Sequence, residues 1–172
     1  KFDNNDKKYK KFYFGAKNNQ NKLSYLNHPH ALRFGPDNKI YVVDTNNHRI
    51  VKFNKKGKFL GWIGKRKNGL INKNWSKIGD SVKGDELGAF NGPLDLEIYK
   101  NFIYISDNDN HRVVKVDMSG KSIGWFGKNK FIKNNNYKWM TKGKSVRGKS
   151  VHDFFNPYGL RIKKNTMYVA DR

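Results

Sequence analysis

The sequence predicts an all-β chain, a partial β-propeller of four-stranded antiparallel blades, on three observations. A series of short strand-like runs over 28–64 is written again over 92–127, with the same turns in the same order. The spacing is tight: Pro29, Pro93 and Pro157 stand 64 residues apart, and Trp62 and Trp125 stand 63 apart. Each period holds four short strands, and that combination marks propeller blades.

Within the first copy, a strand over Ala31 to Phe34 leads into a Pro36-Asp37-Asn38 turn and a second strand, Ile40 to Val43. An Asp44-Thr45-Asn46-Asn47 turn follows, then a third strand (Arg49 to Phe53), a Lys55-Lys56-Gly57 turn and a fourth strand (Phe59 to Ile63). Runs of β-branched and aromatic residues punctuated by Asn, Asp, Gly and Pro read as an antiparallel meander. Lys1-Phe2 aligns with Lys52-Phe53 and Tyr13-Phe14-Gly15 with Trp62-Ile63-Gly64, so residues 1–15 read as half a blade. Met167 to Asp171 repeats a second strand, making 156–172 another half. The organisation is therefore half blade 1–15, blade 28–64, inserted loop 65–91, blade 92–127, inserted loop 128–155 and half blade 156–172. Fewer than three periods cannot close a ring, since propellers need roughly four blades or more. Further blades of a longer chain, or a second copy, are expected to complete it.

The recurring signature is Asp-x-x-Asn-His-Arg (Asp44, Asn47, His48, Arg49; Asp107, Asn110, His111, Arg112), then a hydrophobic strand and Gly-x-x-x-Gly-Trp ending at Trp62 and Trp125. Asp171 opens a third copy. This pattern resembles the NHL repeat over nearly the whole chain. The resemblance implies a propeller, commonly of six blades, used as a platform for protein partners. It also brings two alternatives: members whose positive face holds RNA, and a secreted zinc lyase, the peptidyl-hydroxyglycine amidating lyase. That lyase carries His directly after a blade-opening Pro, a place filled here by His30 alone.

The inserted loops are themselves repeated. Trp75, Gly79, Ser81-Val82, Gly84 and Phe90 recur as Trp139, Gly143, Ser145-Val146, Gly148 and Phe154. Ordinary units of this kind are nearer forty residues, so each insertion adds roughly twenty at an inter-blade connection, where repeat proteins carry extra sequence. The shared spacing predicts one shared backbone path, with Trp75 and Trp139 partly buried. The first connection, Ala16 to Asn27, lacks the Trp and the glycines.

Composition bounds the function. The chain has 172 residues with 36% hydrophobic and 15% aromatic content, enough to build a core. No run reaches membrane-spanning length and no signal peptide is visible, so a compartment is not assigned. Without cysteine there is neither disulfide nor thiol chemistry. The net charge of +22 raises the question of a polyanion. Yet only 7 of the 36 basic residues are Arg, the side chain that grips phosphate and guanine bidentately. Lys and Asn are abundant together, as an AT-rich genome would also produce.

Motifs for chemistry mostly fail. Gly143-Lys144-Ser145 resembles the end of a phosphate loop, but Lys138 stands where the leading Gly is required. Gly79-Asp80-Ser81-Val82 is followed by Lys83, which breaks a nucleophile elbow. His28 and His30 have no matching ligands in the other copies, and zinc needs three or four. No catalytic residue, metal or cofactor is assigned, and His30 is the lone metal candidate. Asp44, Asp107 and Asp171 recur at strand ends and read as caps on the turn that follows. His48 and His111 read as hairpin locks within that turn.

Positions that differ between copies are the better guide to binding. Arg33, Glu97 and Arg161 share one position on the first strand, nearest the channel, with alternating sign. Lys65, Arg66 and Lys67 begin one insertion, and Lys128, Lys130 and Lys133 the next. These nine residues are the candidate ligand-binding set. A protein partner is expected, with RNA or another polyanion as the alternative.

Overall fold

The computed structural model describes residues 25–132, 138–150 and 152–172. The half blade expected over 1–15 and the candidate Lys133 lie outside these residues.

Among the described residues, fourteen strands alternate with turns. The first sheet is β1 (Pro29–Phe34), β2 (Lys39–Asp44), β3 (Arg49–Asn54) and β4 (Phe59–Ile63), antiparallel and in sequence order. A two-stranded ribbon follows, β5 (Lys65–Arg66) with β6 (Ser81–Val82). The second sheet repeats the first: β7 (Pro93–Tyr99), β8 (Phe102–Asp107), β9 (Arg112–Asp117) and β10 (Ser122–Phe126). A second ribbon pairs β11 (Lys128–Asn129) with β12 (Ser145–Val146). The last pair is β13 (Pro157–Lys163) with β14 (Thr166–Asp171). The all-β blade architecture read from the repeat is what the chain adopts.

The sheets stack face to face, which explains the composition of the second strands. Successive side chains of a strand point to opposite faces. In β2, Tyr41 and Val43 enter one core with Ile50 and Ile63 from their own sheet. That core also takes Leu96, Ile103, Ile105, Val114, Val116 and Trp125 from the second sheet. Ile40 and Val42 enter a separate cluster with Val51, Phe53 and Trp62 on the opposite face. A strand buried on both sides reads as a continuous apolar run rather than an alternation. Val113, Leu160 and Phe154 begin a third cluster between the second sheet and the β13–β14 pair. Phe90 and Phe154, each just ahead of a blade, are wedges between blades.

Each insertion runs back along the outer strand. Trp62 and Ser76 exchange both backbone hydrogen bonds at 2.9 Å, and Trp125 and Met140 do the same at 2.8 Å. This covers an edge that would otherwise present unpaired amides. The close pass explains the Gly before each Trp. A Cβ on Gly61, whose φ is +150°, would come within 2.9 Å of the Trp75 Cβ. On Gly124 it would meet the Met140 carbonyl oxygen at 3.1 Å. The two insertions share their ribbon register too, Lys65 opposite Val82 and Lys128 opposite Val146. Trp75 and Trp139 are half-buried and pack tilted against Tyr41 and Tyr104 at ring separations of 5.4 and 5.7 Å.

The recurrent acids join the blades. Asp44 and Asp107 are both fully buried. Asp44 Oδ2 accepts from Arg49 Nε at 2.6 Å and Asn47 Nδ2 at 2.9 Å, and Oδ1 accepts from the Asn27 amide at 2.6 Å. Asp107 repeats this with Arg112, Asn110 and the Asn91 amide at 2.8, 2.8 and 2.7 Å. Asp171 accepts from the Phe155 and Asn156 amides. The amides held are thus those of the connection preceding the blade, not those of the turn after the Asp. The pairing of Pro29 with Asp44 and Pro93 with Asp107 across the first two strands turns each carboxylate towards that connection.

Arg112→Ala would strand the Asp107 carboxyl, which burial already pushes above its ordinary range. The expected loss is about 3–5 kcal/mol in urea unfolding, typical of breaking one half of a buried pair. Loss under about 1 kcal/mol would mean that the pair is dispensable.

Candidate functional site

The three first strands, β1, β7 and β13, run side by side and bring one charged cluster together. Arg33 on β1 and Arg161 on β13 both reach Asp95 on β7. Arg33 donates to Oδ1 and Arg161 to Oδ2, each at 2.9 Å. Glu97 lies 3.8 Å from Arg33 and 3.7 Å from Arg161, a looser attraction. The alternating charges singled out from the sequence therefore do meet. Their centre is Asp95, which that reading passed over. Ala31 and Gly159 stand at the matching positions, so a lone acid among small residues was the available signal.

Asp95 is saturated. It also accepts the Leu96 amide at 2.8 Å and, across the blade boundary, the Leu160 amide at 2.9 Å. Its own amide donates to Ser106 Oγ, and that hydroxyl donates to the Tyr158 carbonyl at 2.8 Å. A carboxylate holding four donors from three strands ties blades and is poorly placed to act as a base or metal ligand. Arg161 keeps 61% of its side chain exposed, so the cluster is open on that side.

The turn after each second strand reaches forward. Thr45 Oγ1 donates to the Pro93 carbonyl at 2.7 Å, and Asn108 Nδ2 to the Pro157 carbonyl at 3.1 Å. His48 and His111, both in left-handed backbone conformation, reach the next blade instead of locking their own hairpin. His48 Nδ1 accepts the Gly92 amide at 3.1 Å, whereas His111 Nδ1 faces the Phe155 carbonyl. The left-handed turn aims each imidazole across the boundary. Arg112 also spreads onto the carbonyls of Asp85, Glu86 and Ala89 in the preceding connection, and Arg49 onto that of Tyr25. Trp125 is buried between the two full sheets, while Trp62 is buried in the opposite-face cluster.

The basic loop residues divide. Lys65 pairs with Glu86, and Arg66 donates to Asn72 Oδ1 at 2.6 Å and Ser76 Oγ at 3.0 Å, holding the insertion together. Lys67, Lys128 and Lys130 are exposed, with Lys130 Nζ 5.9 Å from the Phe131 ring centre. Beside them the insertions expose apolar side chains that the sequence reading left out: Leu70 at 58%, Ile78 at 63%, Phe131 at 72% and Ile132 at 47%. His30 lies 6.5 Å ring to ring from Tyr158, and no group of three metal-ligating side chains gathers among the described residues. No helix there is long and apolar enough to cross a membrane.

Comparison with known proteins places the repeat. The NHL repeat family matches residues 26–53, which span β1 to β3. The chain is 31% identical over 80 residues to NHL repeat-containing protein 2 of Gallus gallus, covering 46% of this chain and 10% of that protein. The Bos taurus protein of the same name is 28% identical over 90 residues, covering 50% of this chain and 10% of the other. The chain thus spans about a tenth of the length of these curated relatives. A solved structure of a protein of unknown function from Bacteroides caccae aligns at 16% identity with a TM-score of 0.35, covering 83% of this chain and 56% of that one.

Two measurements follow from this geometry. Asp95→Asn should cost about 1–3 kcal/mol in chemical denaturation, because a buried charge-assisted network is broken. Glu97→Gln should stay within about 1 kcal/mol, its ion contacts being long and partly solvated. Burial, then the charge of Lys83, holds the His48 imidazole below its ordinary pKa of 6.5. The folded state therefore binds fewer protons there than the unfolded state. Stability should be constant above about pH 6.5 and decline as pH falls through and below that value. His48→Gln should flatten that part of the stability–pH curve, and an unchanged curve would remove His48 as its source.

Proposed function

We propose that this chain, which belongs to the NHL-repeat family, works as a non-enzymatic binding platform for another protein through its two insertions. The observation that carries this reading is the exposure of Leu70, Ile78, Phe131 and Ile132 beside the lysines of the same loops. Apolar and aromatic side chains on a framed surface supply the desolvated centre of a protein interface, with lysines at its rim. The framing is physical: short ribbons and the Arg66 hydrogen bonds hold the first loop, and Lys144 pairs with Asp85 at 2.7 Å between the two insertions.

Two further points support it. The recurrent acids Asp44 and Asp107 are buried under Arg and amide donors, which leaves them unsuited to proton transfer. Five of the seven arginines hold partners within the chain: Arg33 and Arg161 on Asp95, Arg49 on Asp44, Arg66 on Asn72 and Arg112 on Asp107. The exposed charge left over is mostly lysine, which attracts polyanions without specific readout.

The test is nuclease-treated affinity capture, comparing the chain with its Leu70→Ser, Ile78→Ser, Phe131→Ser triple variant. A protein retained by the first and lost by the second, with the variant folded by circular dichroism, is the expected result. Capture that disappears with nuclease, or tracks lysine reversal at Lys67, Lys128 and Lys130 and falls steeply with salt, assigns the surface to nucleic acid.

A further inference from the structure

The first insertion and the outer strand of the second blade enclose a cleft of about 480 Å³. One wall is Ile71, Asn72 and Lys73, with Leu87 where the insertion returns, and the other is Lys121 and Ser122 at the start of β10. The cause is in the sequence. In the first blade Phe53 stands opposite Phe59 across β3 and β4, their ring centres 6.1 Å apart. The matching pair in the second blade is Val116 opposite Ser122. Cross-strand partners share a face, and Val116 belongs to the core between the two blades. Ser122 is therefore turned towards the first blade and its insertion, with a hydroxymethyl group where the first blade carries a ring.

Both walls are held. Trp75 of the insertion donates from Nε1 to the Met118 carbonyl at 3.0 Å, which pins the insertion to the turn before β10. Asp117 Oδ1 fixes that turn by accepting the Ser119 and Lys121 amides at 2.9 and 3.0 Å. Asn72 is buried, its Oδ1 accepting from Arg66 Nε at 2.6 Å and its Nδ2 donating to the Trp62 carbonyl at 3.3 Å. Gly88 closes one end, since a Cβ there would come within 2.7 Å of Ile71 Cγ2 and 3.0 Å of Ser122 Oγ. Each wall also carries an exposed lysine, Lys73 or Lys121, and neither pairs with an acid among the described residues.

We infer that this cleft takes an aromatic side chain of a partner protein, flanked there by acidic residues. The ring lies on Ile71 and Leu87 as Phe59 lies on Phe53, and the flanking carboxylates meet Lys73 and Lys121. A single anchor ring in a preformed pocket is where interfaces concentrate binding energy, and fixed walls reduce what ordering costs. Lysines on both sides of the ring favour an acidic segment and disfavour a basic one. The inference rests on reading the insertions as a protein-binding surface and names what the partner brings to it.

The experiment titrates the chain with acetyl-Asp-Phe-Glu-amide, following the Trp75 indole N–H by NMR. Saturable binding is expected, about tenfold or more weaker when Ala replaces the peptide's Phe, as burial of a ring implies. The uncharged acetyl-Asn-Phe-Gln-amide should bind about fivefold weaker, the worth of two ion pairs at a wet rim. Ser122→Phe supplies the chain's own ring and should block the peptide. The surface pair Lys73→Gln with Lys121→Gln should remove the preference for the acidic peptide, while Lys163→Gln with Lys164→Gln, of equal charge, should leave it intact. No binding at millimolar peptide, equal binding of the Phe and Ala peptides, or a preference for acid unchanged by the Lys73 and Lys121 pair overturns the inference. So does 3-phenylpropionate binding as tightly as the tripeptide, which marks a small-molecule site. A protein captured equally by the chain and by Ser122→Phe, yet lost from the Leu70, Ile78 and Phe131 variant, sinks the cleft and leaves the platform standing.

Discussion

The buried pairing of Asp107 with Arg112, and of Asp44 with Arg49, is the constraint on which the remaining geometry depends. Taking two charges out of water is costly, and the pair is tolerable only when every remaining donor and acceptor is met. Here that requirement shapes the chain. The carboxylate takes the amide of the incoming connection, the Asn two residues before the Arg donates to it, and the guanidinium of Arg112 fans out over three carbonyls of the same connection. One pair therefore fixes the end of the second strand, the start of the third and the path by which the chain arrived. The His between Asn and Arg and the Thr or Asn after the Asp then bind the following blade. A six-residue signature is thus a joint among successive elements rather than a hairpin ornament.

That joint makes the inserted loops possible. Sheets stacked face to face bury their second and third strands on both sides, leaving the fourth strand with an unpaired edge. Each insertion lies along that edge through paired hydrogen bonds at Trp62 and Trp125, and returns to a connection already gripped by the next blade's Arg. Twenty extra residues held at both ends in this way lose less on ordering than a loop tethered only by its termini. Apolar side chains at Leu70 and Phe131 can consequently be displayed in fixed places, which is what a recognition surface requires.

The repeat spacing made the blades legible, because Pro, Asp and Trp mark strand ends and the apolar runs between them have a strand's length. It also made the shared path of the insertions legible, since a glycine required by a close backbone pass recurs with the Trp that passes it. What the spacing could not convey was direction. A carboxylate at a strand end can cap forward or reach back, and only the pairing of Asp44 with Pro29 settles that it reaches back. Asp95 escaped notice for the opposite reason. It occurs once, at a position filled elsewhere by Ala31 and Gly159, and its weight comes from two arginines about sixty residues away on either side. Contacts between blades have no local sequence signal.

The division of labour between the two basic residue types follows from their chemistry. A guanidinium is planar, weakly hydrated and able to satisfy several acceptors at once, so it suits buried joints. Arg49 and Arg112 are buried this way, Arg33, Arg66 and Arg161 hold partners nearer the surface, and Arg147 stacks 3.6 Å from the Phe155 centre. Lysine keeps its hydration shell and stays largely outside, where it supplies most of the +22. The structure therefore separates cohesion from field: arginine holds the blades, and lysine sets the surface potential. Lys52 and Lys115 are exceptions, drawn inward among aromatic rings. Lys52 pairs there with Asp37, a carboxylate from the first turn of its own blade, so even a lysine is drawn inward where a local acid and ring faces replace part of its water.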